Sequence, residues 1–377
     1  MSKIRVAVVF GGRSGEHEVS CASARNVVAA IDQDKYEVIL IGIGRDGRFM
    51  LPAASRAVLD GGPLELGGGG LEVEGEPVSF LQDPSRHEVV LGSDSRGEAV
   101  DVVFPVLHGP NGEDGSIQGL LEIADIPYVG SAVLGSALAM DKEKMKVMFA
   151  SVGLPVADYV IVRAHEWAID ADRLLDEAAW LGFPSFSKPA NLGSSVGISR
   201  CTDLDSLRAG IEEALRHDRK VLVEEAVPGR ELECGVLGNE VPESSVVGEV
   251  IAAREFYDYE AKYIDSASTT VIPAEIPAPV EEIVRKYAIR AFTAVEGAGM
   301  ARVDFFYQNP GRGVVVNEIN TIPGFTRISM YPKLWEATGV PYTELIERLI
   351  QLAIDRHRSK PRPESMPPPA GLPAGGG

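Results

Sequence analysis

Residues 301–307 read Ala-Arg-Val-Asp-Phe-Phe-Tyr, and residues 314–320 read Val-Val-Val-Asn-Glu-Ile-Asn. The β-branched and aromatic residues in both runs favour strands. Side chains alternate between the two faces of a strand, so Glu318 and Asn320 share a face. If the two strands pair, Asp304 joins them, and the three side chains form an all-oxygen set that suits Mg²⁺. A solvated face at the edge of a sheet is the alternative interpretation.

Outward from this pair, the chain divides into stretches with different patterns. Near the N-terminus, a strand over residues 4–10, a helix over 19–31 and a strand over 38–43 form a βα unit. This alternation predicts a largely parallel sheet, which would bind ligands at the carboxyl ends of its strands. The fold class of the N-terminal stretch is therefore α/β. The predicted domains cover residues 1–140, 141–228 and 229–358, followed by a disordered Pro- and Gly-rich tail over 359–377.

The composition excludes several classes of protein. The 377 residues include 36 Lys+Arg and 55 Asp+Glu, which gives a net charge of −19 and disfavours nucleic-acid binding. The three cysteines, at Cys21, Cys201 and Cys234, have no C-x-x-C spacing, so neither a disulfide scaffold nor a thiolate zinc site is expected. The chain starts on a strand-like segment without a signal peptide, and no run of 18 apolar residues suggests a membrane span. A cytoplasmic protein is the expectation.

A small-residue loop follows a predicted strand in the middle of the chain. Residues 193–197 read Gly-Ser-Ser-Val-Gly, and such loops expose N–H groups that can bind phosphate. The order of a Walker loop is absent, and a flexible connector is the alternative. Lys188 ends the preceding strand, where an unpaired ammonium would be costly, so it is a candidate phosphate ligand. Lys142 is a second candidate, although it lies among ordinary helix-surface charges.

Other polar residues stand at the ends of predicted strands. Glu224 and Glu225 end a strand and could offer groups to an adenine and a ribose, or could simply be a strand end. Glu16 and His108 each follow a strand of the N-terminal unit, where a carboxylate can pair with a substrate ammonium or remain solvated. Gly324 lies in a turn where the missing side chain permits close approach of a ligand to the backbone.

One segment has the composition of a covering loop. Residues 256–263 read Phe-Tyr-Asp-Tyr-Glu-Ala-Lys-Tyr and show neither helical nor strand periodicity. We expect this segment to cover a site and exclude water from it. A surface loop packed by its own aromatic rings is the alternative.

Taken together, these segments resemble the ATP-grasp ligases, and most closely the D-alanine–D-alanine ligase family. The resemblance covers about residues 3–357 in the order found in the family. It is carried by residues 11–20, His108-Gly109, residues 112–115, Met140-Asp141-Lys142, Lys188-Pro189, and residues 193–197, 257–263, 302–304 and 317–324. It implies an α/β, Rossmann-like N-terminal domain followed by a two-lobed ATP-grasp fold, whose lobes are α+β and hold ATP between them. It also implies ligation of two D-alanines through an acylphosphate, for peptidoglycan precursor synthesis.

The resemblance further implies roles for individual residues. Glu16, with His108 nearby, would hold the ammonium of the first D-alanine, and Ser194 and Tyr263 would complete a hydrogen-bonded unit with Glu16. The second D-alanine's carboxylate would be held by Lys262, Ser329 and Met330. Arg302 and the Gly324 N–H would steady the oxyanion. ATP would be held by Lys142, Lys188, Ser194, Ser195, Glu224, Glu225, Val227 and Glu231. Two Mg²⁺ ions, or Mn²⁺, would be held by Asp304, Glu318 and Asn320.

Several alternatives stay open. A ligase that uses D-lactate or another D-configured acceptor is one, although the intact segment 259–263 favours an amine acceptor. A non-catalytic nucleotide-binding module is another. A dinucleotide-dependent oxidoreductase is disfavoured, because residues 11–16 lack the Gly-x-Gly-x-x-Gly spacing. The expected partners are small molecules, with no nucleic acid and no membrane, and the family suggests a homodimer. The sequence offers no account of Ser187, which precedes Lys188.

Overall fold

The structure is a computed structural model that describes residues 3–52, 75–80, 88–91, 96–193, 196–251 and 269–361. The predicted covering loop over 256–263, Ser194 and Ser195 lie outside the described residues, as does the predicted tail beyond residue 361. Within the described residues, no helix is long and apolar enough to cross a bilayer.

The described strands of the N-terminal region form one sheet in the order β6-β5-β4-β3-β2-β1-β7. Strand β1 pairs in parallel with β2 and β7, and residues 6–10 are buried on both faces, which explains their unbroken apolar run. The prediction of a largely parallel sheet is wrong beyond β2, where the pairs are antiparallel. Only five residues separate β2 from β3, too few for a crossover. The strands are β1 Ile4–Gly11, β2 Tyr36–Ile43, β3 Phe49–Pro52, β4 Gly75–Phe80, β5 Glu88–Leu91, β6 Arg96–Ala99 and β7 Val102–Val106.

Two helices flank this sheet. Helix α1, His17–Ala30, buries Cys21, Ala24 and Val28 against one face. Helix α2, Ser116–Ile123, buries Ile117 and Leu121 in a second cluster with side chains of the other face. The carboxyl ends of β1 and β7 therefore open between two packed layers, where the loops that carry Glu16 and His108 begin.

The central region is an antiparallel sheet in the order β10-β9-β11-β8. Ser187 of β9 is fully buried, and a Cβ atom at Gly210 of the covering helix α7 would lie only 2.6 Å from its Oγ. The small residue before Lys188 therefore lets a helix approach the sheet closely, which the sequence alone did not explain. The strands are β8 Tyr159–Arg163, β9 Ser185–Pro189, β10 Ser199–Cys201 and β11 Lys220–Glu225; the helices are α3 Val133–Met140, α4 Lys142–Ser151, α5 Ala164–Trp167, α6 Ala171–Ala179 and α7 Leu204–Leu215.

The C-terminal region is an antiparallel sheet in the order β14-β13-β12-β15-β16. Val303, Phe305 and Tyr307 are buried under helix α8, whereas the residues between them face the opposite side, so the predicted alternation is confirmed. The strands are β12 Arg230–Gly238, β13 Glu243–Ile251, β14 Thr269–Val271, β15 Gly299–Gln308 and β16 Gly313–Asn320; the helices are α8 Ala278–Ala294, α9 Met330–Ala337 and α10 Tyr342–Ser359.

The two ends of the chain share one hydrophobic core. Val8 and Phe104 of the first sheet lie in the same buried cluster as Phe325, which leads into α9, and Leu349 of α10. The rings of Phe104 and Phe325 meet edge to face, with centroids 5.8 Å apart. This packing fixes the N-terminal loops against the C-terminal sheet. Each sheet falls inside one of the predicted domains, and the boundaries between the domains remain a prediction.

Candidate active site

A cavity of about 220 Å³ lies where the three regions meet. The N-terminal loops, the start of α4, the loop after β9, and strands β12, β15 and β16 all contribute to its wall. It therefore gathers residues that are up to 314 positions apart in the sequence. The predicted site residues that line it are Glu16, His108, Lys142, Glu231, Arg302, Asp304, Glu318, Asn320, Gly324, Ser329 and Met330.

A row of carboxylates crosses the sheet beside the cavity. Strand register places Glu233 of β12 opposite Asp304 of β15, and Asp304 opposite Glu318 of β16. Arg302 sits beside this row: its Nε and Nη2 each donate to Asp304 at 2.7 Å, and its Nε lies 3.0 Å from Glu233. The guanidinium offsets the repulsion between two of the carboxylates, which is why they can lie side by side.

The fit of this row to Mg²⁺ rests on its chemistry. Asp304, Glu318 and Asn320 present hard oxygen donors on one face, as the alternation predicts. The amide nitrogen of Asn320 donates to Asp304 at 3.1 Å, and Arg302 occupies the other side of Asp304. In the described part of the chain, no group of three or more His, Cys, Asp or Glu side chains is arranged to hold a metal ion. The oxygen atoms of these three side chains are suitable ligands for Mg²⁺. A bound metal ion would, however, have to share Asp304 with Arg302.

His108 connects three parts of the molecule. Its Nδ1 lies 3.0 Å from the Ile322 carbonyl oxygen, so Nδ1 must carry the proton, and Nε2 lies 3.2 Å from Ser23 Oγ. Ser23 in turn accepts the backbone N–H of Phe325 at 3.2 Å. Burial lowers the pKa of His108, which favours this neutral tautomer. His108 therefore fixes the loop after β7 between helix α1 and the loop after β16.

Glu113 braces the same loops. Its carboxyl accepts the backbone N–H of Gly109 at 2.8 Å and that of Ile322 at 3.2 Å. Loss of hydration and, to a smaller extent, the nearby charge of Glu16 together raise the pKa of Glu113 to about 8, against the two backbone donors. A carboxyl group in this state holds two loops together without adding a full negative charge to the cavity wall at neutral pH.

Glu16 lies between two glycines. A Cβ atom at Gly109 or at Gly193 would come within 2.9 Å of Glu16 Oε2, so a side chain at either position would displace the Glu16 carboxylate. Glu16 is only 8% exposed and faces the cavity. Gly193 immediately precedes Ser194, so the predicted phosphate loop starts beside the carboxylate that Ser194 was expected to contact.

The turn after β16 brings backbone N–H groups to the cavity. A Cβ atom at Gly324 would lie 2.7 Å from Ser329 Oγ, and this hydroxyl is held by Thr326, whose N–H donates to it at 3.0 Å. Met330 begins helix α9, whose first N–H groups have no partner within the helix. A helix start of this kind can receive a carboxylate.

Lys142 and the loop after β9 are joined across the cavity. Lys142 Nζ donates to the Leu192 carbonyl at 2.6 Å. Asp141 caps α4 by accepting the Lys144 N–H at 3.1 Å, and Lys220 of β11 donates to Asp141 Oδ1 at 2.6 Å. The acidic residue before Lys142 therefore anchors the start of the helix to the central sheet, and this anchor directs Lys142 toward the predicted phosphate loop.

Two models of known protein families match this chain. One, described as the N-terminus of D-ala D-ala ligase, matches residues 5–131, and the other, described as the C-terminus of D-ala D-ala ligase, matches residues 148–351. The chain belongs to the D-alanine–D-alanine ligase family. The cavity lies at the junction of the two matched segments.

Members of the family are similar to this chain over nearly their whole length. A D-alanine–D-alanine ligase of Thermoanaerobacter sp. strain X514 is 47% identical over 96% of this chain and 99% of its own. One of Heliobacterium modesticaldum is 48% identical over 96% and 98%. The solved D-alanine-D-alanine ligase from Coxiella burnetii has a TM-score of 0.80 at 38% identity, covering 95% and 96%. VanG D-Ala:D-Ser ligase from Enterococcus faecalis has a TM-score of 0.82 at 36% identity, covering 93% and 100%. The ATP-grasp fold of the family is therefore the fold of this chain.

In this D-alanine–D-alanine ligase family member, several of the predicted nucleotide residues have side chains that are paired with other groups of the protein. Lys188 and Glu224 form an ion pair with a 2.6 Å separation of Nζ and Oε2, and Lys188 also interacts with the charges of Glu231 and Glu318, which line the cavity. The carboxylate of Glu225 is taken by the Asp158 N–H at 2.8 Å and by Arg312 at 2.5 Å. Val227 is partly buried in the segment after β11. The backbone groups of Glu225 and Val227 stay predicted contacts for an adenine.

Three residues of the site escaped the sequence analysis. Glu233 faces Asp304 from the neighbouring strand, Glu113 braces the two loops, and Lys146 forms a buried ion pair with Glu224. Alternation along β12 would have placed Glu233 on the same face as the predicted Glu231. Lys146 follows Lys142 by one helical turn, and that spacing was the available signal.

Proposed function

We propose that the chain joins two molecules of D-alanine to form D-alanyl-D-alanine and converts ATP to ADP and phosphate. The observation that carries this function is the single cavity in which Glu16, Lys142 and Arg302, from the three regions, face one another. Membership of the D-alanine–D-alanine ligase family supports the same conclusion. The dipeptide would serve the synthesis of peptidoglycan precursors.

The arrangement of charges suits the first chemical step. The carboxylate of one D-alanine attacks the γ-phosphate of ATP, ADP leaves, and an acylphosphate forms. Two anions must meet, so cations beside them lower the barrier. Lys142 and Lys188 would contact phosphates, and Glu16, only 8% exposed, would pair with the ammonium of the same D-alanine.

The second step needs a donor for a developing oxyanion. The amine of the second D-alanine attacks the acyl carbon, and phosphate leaves. Arg302, held by Asp304 and Glu233, would stabilise the oxyanion together with the Gly324 N–H. Ser329 and the N–H of Met330 at the start of α9 would receive the carboxylate of the second substrate.

We also propose that Asp304, Glu318 and Asn320 hold two divalent ions, Mg²⁺ or Mn²⁺. A bound ion would offset the repulsion between the attacking carboxylate and the phosphate oxygens. The support is the shared face of the three side chains beside the cavity.

A different acceptor is the second candidate. VanG D-Ala:D-Ser ligase is similar to this chain over 93% of its length. The segment expected to choose the acceptor, with Lys262 and Tyr263, lies outside the described residues, so the preference for D-alanine rests on the sequence of that segment.

The purified chain should be incubated with ATP, Mg²⁺ and D-alanine, with D-serine and D-lactate supplied in parallel. We expect D-alanyl-D-alanine by mass spectrometry and one ADP per dipeptide. Release of ADP at the same rate without any amino acid would contradict the proposal. A mixed product formed in preference to the D-alanine dipeptide would transfer the proposal to the second candidate.

We propose, finally, a cytoplasmic homodimer with domains over residues 1–140, 141–228 and 229–358. The family resemblance supports it, and so do apolar side chains that stand in solvent on α2 and α3: Ile123 is 65% exposed and Leu134 is 58% exposed. Sedimentation equilibrium of the full chain should give twice the mass of one chain. A monomer at micromolar concentration would contradict the dimer.

A further inference from the structure

Lys146 is a lysine in an unusual place. It lies on α4, one turn after Lys142, and its side chain is 2% exposed. A buried ammonium is costly unless it is paired. Lys146 Nζ forms an ion pair with Glu224 Oε1, and the Tyr159 ring centroid lies 6.0 Å from the same nitrogen. No step proposed above uses Lys146.

Glu224 is shared between two lysines. Its second oxygen, Oε2, accepts Lys188 Nζ at 2.6 Å. Two ammonium groups and one carboxylate carry a net charge of +1, and all three groups are well shielded from solvent, with side-chain exposures of 2%, 2% and 14%. The two lysines hold the pKa of Glu224 down at about 2 against its burial, so the carboxylate stays ionised.

We propose that Lys146 is a positioning residue that neutralises Glu224, so that the charge of Lys188 is available to a nucleotide phosphate. This inference rests on the proposed use of ATP. Without Lys146, Lys188 and Glu224 would neutralise each other, and the pair would offer an incoming phosphate no net attraction. Neutralisation of Glu224 matters for Lys188 because two further carboxylates, those of Glu231 and Glu318, also lie close enough to interact with its ammonium group.

Lys146 also helps to position helix α4 relative to the central sheet. Lys142 reaches the Leu192 carbonyl, whereas Lys146, on the same helix, is fixed to Glu224 of β11. The ion pair therefore acts together with the Asp141–Lys220 pair to hold α4 against the strands that carry Lys188 and Glu224. The two predicted phosphate lysines are positioned relative to each other through Lys146, which itself stays behind the carboxylate and away from the cavity wall.

The test compares four full-length variants: Lys146→Met, Glu224→Gln, the double variant, and Lys144→Met as control. Lys144 is on the same helix, but its side chain is 52% exposed and pairs with Glu143. The probes are AMP-PNP with Mg²⁺, and adenosine, with dissociation constants from calorimetry. We expect Lys146→Met to weaken AMP-PNP binding by about 10- to 100-fold and to leave adenosine unchanged, because only the phosphates feel the lost charge.

The net charge of the cluster formed by Lys146, Glu224 and Lys188 predicts how tightly the other variants bind AMP-PNP. The double variant returns the cluster to +1, so it should bind AMP-PNP more tightly than Lys146→Met. In turnover, Lys146→Met should raise KM for ATP more than it lowers kcat. Lys144→Met should match the wild type. Equal affinity of Lys146→Met and the wild type, or equal weakening for adenosine, would overturn the inference, since the first denies a role and the second indicates a structural one.

The inference can be tested even if one of the variants does not fold. If Lys146→Met fails to fold, Lys146→Arg, which keeps a positive charge beside Glu224, is compared with Lys146→Gln, which removes it, and we expect Lys146→Arg to bind AMP-PNP about tenfold more tightly. Equal affinities would overturn the inference. Failure of the proposed function is separate: it shows as a wild type that binds AMP-PNP but makes no dipeptide, in which case the affinity comparison still decides the role of Lys146.

Discussion

Two glutamates of this chain lie in contrasting surroundings. Glu224 of the central sheet has one lysine on each oxygen, and its pKa falls to about 2. Glu113, beside the cavity, accepts two backbone N–H groups, and its pKa rises to about 8. Among the described residues, no lysine or arginine forms an ion pair with Glu113. Burial raises the pKa of both carboxyl groups, and the two lysines beside Glu224 lower its pKa by more than burial raises it.

The same contrast divides the whole site. Its central-region side carries Lys142 and Lys188, and behind them lie Lys146 and Lys220, which are paired with carboxylates of the same region. The opposite wall is rich in carboxylates, namely Glu16, Glu233, Asp304 and Glu318, with Arg302 among them. A triphosphate suits the first side, and an ammonium or a divalent cation suits the second. The site is therefore complementary to its proposed ligands in charge before any ligand is present.

The largest expected effect comes from the carboxylate wall. Glu318→Gln keeps the size of the side chain and removes one charge opposite Asp304. We expect kcat to fall by about 100-fold or more, because the variant weakens the proposed metal binding where the two anions must meet, while the fold is kept. Initial rates over a range of Mg²⁺ concentrations and a thermal melt measure both effects.

The control for this variant is Glu243→Gln, on the same sheet but at an exposed position. It should keep wild-type rates at every Mg²⁺ concentration. If Glu318→Gln also kept wild-type activity at limiting Mg²⁺, Glu318 would not belong to the metal site, and the carboxylate wall would lose its proposed role.

The lysine-rich side should respond in stability. Lys220 is 11% exposed and pairs with Asp141 at 2.6 Å and with Glu143 at 2.7 Å. Lys220→Met leaves two neighbouring carboxylates without this partner, although Arg163 still contacts Glu143. We expect the free energy of unfolding to fall by about 2–3 kcal/mol, as measured by denaturant titration.

Lys35→Met is the matched control, since Lys35 pairs with Glu347 at 2.8 Å but is 54% exposed. It should leave the free energy of unfolding close to that of the wild type, because solvent screens an exposed ion pair. Equal costs for the two variants would mean that partial burial does not strengthen the Lys220 pairs, and the division of the site by charge would then have no counterpart in stability.

Local sequence rules could predict the carboxylates that line one wall of the cavity. They could not predict the ion pairs that join Lys146, Glu224 and Lys188. Alternation along two strands placed Asp304, Glu318 and Asn320 on one face, and the register of the sheet confirms that placement. The pairing of Lys146 with Glu224 joins a helix and a strand 78 residues apart, which no periodicity encodes. The tolerance for Ser187 likewise depends on Gly210 of a helix that follows it in the chain. Contacts of this kind arise only when the elements pack.

The smallest expected effect tests Glu113 directly. Its raised pKa means that the folded chain holds a proton on Glu113 that the unfolded chain has released, between the ordinary pKa of 4.5 and about 8. Where the folded state binds more protons, stability falls as pH rises, so the wild type should lose stability through this window. Glu113→Gln cannot titrate, and we expect its loss between pH 7 and pH 9 to be smaller by about 1–2 kcal/mol.

Denaturant titrations at several pH values measure this difference, and Glu240→Gln, at an exposed position, serves as the control that should follow the wild type. The sign of the result matters more than its size. If the wild type and Glu113→Gln lost stability in parallel, Glu113 would be ionised in the folded chain at neutral pH. Its two backbone donors would then outweigh its loss of hydration, and the absence of a paired lysine would not be what separates Glu113 from Glu224.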